Sequence, residues 1–127
     1  MAAHVARLCE DLGIEVLPHS SGGRACRRDR TIAIRPVRSA RTYAVALHEI
    51  GHVVGPWQSK PSLYAEAGAW HWARDNAIEW SEQVSGTCAR ALRSYLDHAR
   101  DKHARGVRNA PVIPEEGHPF WALLNGG

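Results

Sequence analysis

Two histidines four residues apart enclose a glutamate in the run His48-Glu49-Ile50-Gly51-His52. On an α-helix, residues four apart project from one face, one turn above the other, so both imidazoles can grip a single ion from a rigid support. Glu49 follows the first histidine and falls beside such an ion rather than on it. There it is placed as a general base toward water activated at the metal. Zinc suits this donor set, because it accepts imidazole and carboxylate and leaves a fourth position open. The flanks, Val45-Ala46-Leu47 and Val53-Val54, are apolar. Two histidines and a glutamate on an apolar helix cost free energy unless something binds them.

A zinc site of this kind needs a third protein ligand. Glu66, His71, Asp75 and Glu79 all follow at usable distances along the chain. Glu66 is the best placed. It lies early in the next helical stretch, where a hairpin partner of the first helix would bring it back. The small residues Ala65, Ala67, Gly68 and Ala69 around it let two helices approach closely, and Trp70 stands one turn on to wall the site. His71 is its rival, imidazole being the commonest metal ligand. For the group that steadies charge on the substrate oxygen, Tyr43, Tyr64, His71, Arg74 and His118 are unranked candidates.

The elements that must position these side chains follow from periodicity and punctuation. Val5, Leu8, Cys9 and Leu12 recur at helical spacing and Gly13 stops them, predicting a helix over 2–12. Ile14 to Leu17 reads as a strand closed by Pro18 and the turn-rich Ser20-Ser21-Gly22-Gly23; Arg24 to Arg30 reads as a strand or a loop; Thr31 to Ile34 reads as a strand ended by Pro36. That last strand, if it is the sheet edge beside the cleft, would receive an extended substrate. Ser39 is the expected cap of the histidine helix, and Gly55-Pro56 its stop. A second helix starts near Ser62. A long one runs to about Ala104, recapped at Asp75 or Asn76, with Val84, Cys88, Leu92, Tyr95 and Ala99 on one face. From Gly106 the proline-containing tail, 106–127, is expected to be extended and docked by Ile113, Phe120 and Trp121. The fold class is therefore α+β in one domain, 1–127: a helix, a small three-stranded sheet, the histidine helix, a ligand helix and a long C-terminal helix.

The strand Thr31-Ile32-Ala33-Ile34-Arg35-Pro36, the His48–His52 motif, and Glu66-Ala67 followed by Trp70 together resemble the ImmA/IrrE-type metallopeptidases, over roughly residues 2–80. These are compact intracellular zincins, often encoded on phages, mobile elements or stress loci. The resemblance implies a minimal zincin-like fold, Zn2+ held by His48, His52 and Glu66, and Glu49 as catalytic base. It also implies a protein substrate, since many members cut or inactivate a DNA-binding repressor. The stretch after the glutamate departs from that family's usual Ala-Asn-x-Phe-Ala, reading Ala67-Gly68-Ala69-Trp70-His71-Trp72-Ala73. Trp70 also stands where a thermolysin-like pattern has aspartate, which leaves the partners of the two histidines unassigned.

Bulk properties set the bounds. With 127 residues, 44% apolar and 23% charged, the chain matches an ordinary globular domain rather than a disordered one. Cys9, Cys26 and Cys88 are odd in number and contain no CxxC pair, which speaks against a disulfide framework and a thiolate zinc site and for a reduced, cytoplasmic setting. No run reaches the ~20 apolar residues that span a bilayer, so no membrane is expected as a partner. The net charge of +3 is concentrated in Arg24, Arg27, Arg28, Arg30, Arg35, Arg38 and Arg41. This basic 24–41 stretch supports a second class of function, a nucleic-acid or repressor-binding module, although Tyr43 is its one nearby aromatic residue. A third reading keeps the metal but not the catalysis, with the chain acting by contact alone.

Overall fold

The computed structural model describes residues 1–19 and 22–126. Its elements are α1 (Ala2–Leu12), β1 (Glu15–Pro18), β2 (Gly23–Cys26), β3 (Thr31–Ile34), α2 (Ala40–Val54), α3 (Ser62–Asn76), α4 (Glu82–Ala104) and α5 (Pro119–Leu124). The architecture is α+β, with five helices and one three-stranded sheet among the described residues. No described helix is long and apolar enough to cross a membrane.

Gly13 ends α1 in the left-handed region, at φ 66°, where its lack of a Cβ removes the steric penalty. The chain then enters β1, which pairs in parallel with β3, Glu15 opposite Thr31 and Pro18 opposite Ile34. Strand β2 pairs antiparallel with β3 on its other side, Gly23 opposite Ile34 and Cys26 opposite Thr31. The order is therefore β1-β3-β2. The Arg24–Arg30 stretch divides into strand and turn, with Arg30 at φ 53° closing the turn. Of the expected Ser20–Gly23 turn, Ser20 and Ser21 lie outside the described residues.

Thr31–Ile34 is not a sheet edge. It is the central strand, because the hairpin strand β2 covers one flank and β1 returns to the other. Ile32 and Ile34 are accordingly buried.

Helix α2 is the keystone of the core. Ser39 caps it in both directions: its side chain accepts from the Thr42 amide, and the Thr42 hydroxyl accepts from the Ser39 amide. Tyr43, Ala44, Ala46, Leu47, Ile50 and Val53 are all buried. Helix α3 packs against it through small residues. A Cβ added to Gly51 would lie 2.3 Å from the Ala69 carbonyl oxygen, and one on Gly68 would lie 1.8 Å from the Pro56 carbonyl oxygen. No side chain fits at either crossing.

Two boundaries differ from expectation. The cap of α4 is Ser81, whose side chain accepts from Val84, not Asp75 or Asn76; α3 runs through Asn76 and a short linker intervenes. The tail is not wholly extended. Its residues 119–124 form α5, with Pro119 in the first turn, His118 as cap, and Phe120, Leu123 and Leu124 buried. Six residues are too few for helical periodicity to stand out in the sequence. One apolar cluster links α1, β3 and helices α2 to α5.

Candidate metal centre

His48, Glu49 and His52 point from one face of α2, and one donor atom from each lies within 4.8 Å of the others. This His-Glu-His group could hold a metal ion. Glu66 comes to it from α3, as the close α2–α3 crossing requires. Its carboxylate bridges the two rings: Oε1 is 3.0 Å from His48 Nε2, and Oε2 is 2.8 Å from His52 Nε2. Both glutamates are buried, Glu49 at 6% exposure and Glu66 at 8%. A carboxylate so far from water is stable as an ion only beside positive charge.

The second nitrogen of His52 is also accounted for. His52 Nδ1 lies 2.9 Å from Gln58 Oε1, and Gln58 Nε2 donates to the carbonyls of Pro56 (3.0 Å) and Ala65 (2.8 Å). The two donations fix which end of the amide is nitrogen, so Oε1 must accept and Nδ1 must carry the proton. Nε2 of neutral His52 then presents a lone pair to a carboxylate oxygen 2.8 Å away. Two acceptors at that distance need a cation between them, either a proton or a metal.

Electrostatics follow the same logic. Burial pushes Glu66 up, but the hydrogen bonds and charge of His48 and His52 outweigh it and hold the carboxyl at about 2. Burial also pulls His52 down, but Glu66, Gln58 and Glu49 together raise it above its ordinary value. Glu49 moves the other way from Glu66. Burial lifts it, against the pull of His48 and His52, which leaves a more basic carboxylate than a surface glutamate.

The surroundings shape the site closely. Trp70 stacks on His48 with centroids 4.3 Å apart and planes 12° from parallel, so it does wall the site from one turn beyond Glu66. Gly23 of β2 sits over Glu49: a Cβ there would fall 2.7 Å from Glu49 Oε2. The sheet edge nearest the cleft is therefore β2. Tyr95 of α4, 44% exposed, is raised first by burial and then by the charges of Glu66 and Glu49.

The other candidate residues are engaged elsewhere. His71 Nε2 pairs with Asp75 at 3.4 Å, and its ring packs on Trp57. Glu79 lies exposed in the α3–α4 linker. Tyr43 Oη bonds His4 Nδ1 (2.7 Å) and accepts from the Ile78 amide (3.0 Å). Tyr64 donates to Glu115, and His118 caps α5 while packing on Trp57 and Tyr64. Arg74 acts electrostatically on Cys88. A groove of about 870 Å³ between α1, β1 and the end of β3 is lined by apolar residues such as Val5, Val16 and Leu17 and does not include the metal-centre side chains.

Sequence reasoning missed Gln58, Gly23 and Tyr95. Tyr95 shares a helix face with Leu92 and Ala99, which signals packing; Gln58 and Gly23 sit in segments whose course only the fold defines. No protein-family model, curated protein or solved structure matches the chain.

Proposed function

We propose that this chain is a zinc-dependent metallopeptidase of minimal zincin-like fold, with His48, His52 and Glu66 as ligands and Glu49 as general base. The observation that carries the reading is the convergence of both Nε2 atoms on one buried carboxylate, with a second, more basic carboxylate beside them. When bound, zinc supplies Lewis acidity that makes water a nucleophile near neutral pH and polarises a carbonyl. The protein's own residues do the rest. Gln58 holds the His52 tautomer, Trp70 holds the His48 ring, and Glu49 takes a proton from the attacking water and passes it to the leaving amine. Strand β2 offers its outer edge to an extended peptide. Tyr95, raised by burial and by the charges of the same two carboxylates, is the hydroxyl assigned to the substrate oxygen.

The resemblance to the ImmA/IrrE-type metallopeptidases supports the reading and extends it to a cytoplasmic regulator protein, such as a DNA-binding repressor, as substrate. The deciding experiment replaces Glu49 with Gln. Zinc should stay bound at one equivalent by elemental analysis, while peptide hydrolysis falls by about 10²–10⁴-fold, the usual worth of a positioned acid–base group. Undiminished turnover removes Glu49 from catalysis. Zinc binding by a wild-type chain that hydrolyses nothing leaves a contact protein with a structural metal. For Tyr95→Phe, kcat should fall about tenfold or more with KM nearly unchanged, because a hydrogen bond made only in the transition state is lost.

A further inference from the structure

Beside the N-terminal half of α2 lies a cavity of about 320 Å³, lined by Gly22, Arg35, Arg41, Thr42 and Val45 among others. None of its lining residues is acidic. It adjoins the candidate centre. Thr42, Val45 and Glu49 follow at helical spacing on one face of α2, and Val45 Cγ1 and Glu49 Oε2 both crowd the point where a Cβ on Gly23 would sit, at 3.1 and 2.7 Å. Gly22, on the cavity wall, immediately precedes that glycine. Arg35 directly follows Ile34, the β3 partner of Gly23. Two arginines thus stand at the end of β2 from which a strand lying along its outer edge would continue past Glu49. Arg41 also borders a neighbouring cleft containing Glu82, but no ion pair joins them among the described residues.

We propose that this cavity is a substrate subsite that binds a carboxylate of an extended peptide through Arg35 and Arg41. The inference rests on the metallopeptidase reading for its link to catalysis, and on the cavity alone for its chemistry. Both arginines are exposed at the cavity mouth, and guanidinium groups match carboxylates bidentately. The spacing sets the position. Seven to eight residues of helix separate Glu49 from Thr42 and Arg41, about 10–12 Å along the axis at ~1.5 Å per residue, which extended chain covers in about three to four residues. Antiparallel addition to β2 puts the carboxylate on the C-terminal side of the cut bond, and parallel addition puts it on the N-terminal side.

The test uses the zinc-loaded full chain carrying Glu49→Gln, so that peptides bind without turnover. The probes are acetylated decapeptides with Glu, Gln or Lys scanned through the four positions on either side of the centre, each with a free or amidated C-terminus. Fluorescence anisotropy should show Glu binding at least tenfold tighter than Gln at one or two positions on one side only. That preference should vanish in Arg35→Gln and Arg41→Gln, while affinity for the Gln peptides holds. Preference confined to free C-termini would assign the carboxylate to a chain end rather than a side chain. Equal binding of Glu and Gln peptides overturns the proposal, as does a preference that survives both arginine variants. Tighter, arginine-dependent binding of a twelve-nucleotide oligothymidylate overturns it in favour of nucleic acid. Wild-type hydrolysis of the same peptides separates the two claims: selective binding without cleavage keeps the carboxylate site and removes the peptidase, whereas cleavage without selectivity does the reverse.

Discussion

His52 is the residue whose proton the structure assigns most directly, because its neighbour has no freedom. Gln58 spends both amide hydrogens on the carbonyls of Pro56 and Ala65, so its oxygen accepts from His52 Nδ1 and the Nε2 lone pair faces Glu66. Hydrogen bonds of this kind orient a ligand ring and raise its basicity, and their loss typically weakens metal binding by about 10–100-fold. Gln58→Ala should therefore lower zinc affinity by about that factor in a chelator competition, with the far-ultraviolet circular dichroism unchanged. Wild-type affinity in that variant would show that the amide only braces the loop. Trp70 adds a different constraint. Stacked on His48 and 2% exposed, it restrains rotation of that ring.

Between elements, the distance from α2 to α3 decides whether there is a site at all. Glu66 reaches both histidines only because Gly51 lies on the Ala69 backbone and Gly68 on Pro56. At both glycines the obstacle is backbone, which cannot swing aside as a flexible side chain would. Gly68→Ala should push the helices apart, costing about 1–3 kcal/mol of stability as overpacking generally does, and should weaken zinc binding more than that loss alone explains. Thermal melting and metal titration of the same variant measure both effects. A variant of wild-type stability that binds zinc normally would mean the crossing relaxes without moving Glu66.

For the whole molecule, the buried charges make stability depend on pH and on metal together. Glu66 is held at about 2 in the folded chain against an ordinary 4.5, so its contribution is complete above 4.5 and is lost as pH falls toward 2. His52 and Glu49 are raised, so their contributions are complete below 6.5 and 4.5 respectively and are lost as pH rises through their folded values. The metal-free protein should thus be most stable on the acid side of neutrality and weaken as pH passes 6.5. Zinc binds the deprotonated ligands and should move the optimum upward, adding stability most above pH 7, by about 2.7 kcal/mol at a hundredfold excess over Kd. Melting curves from pH 4 to 9 with and without zinc check this. A metal-free optimum above pH 8 would mean that the charges of Glu66 and His52 are not coupled.

The local pattern of residues determined the motif helix, its Ser39 cap and the Gly13 and Gly55 stops, because helical spacing and capping act within a few residues. It also determined that the chain mixes helices with a small sheet. Tertiary structure alone decided that β3 lies inside the sheet and β2 beside Glu49, since strand order depends on which flanks pair and not on the composition of any strand. It alone joined Gln58 to His52. It also folded the tail's last residues into α5, where burial of Phe120, Leu123 and Leu124 sustains six residues that could not stay helical in water.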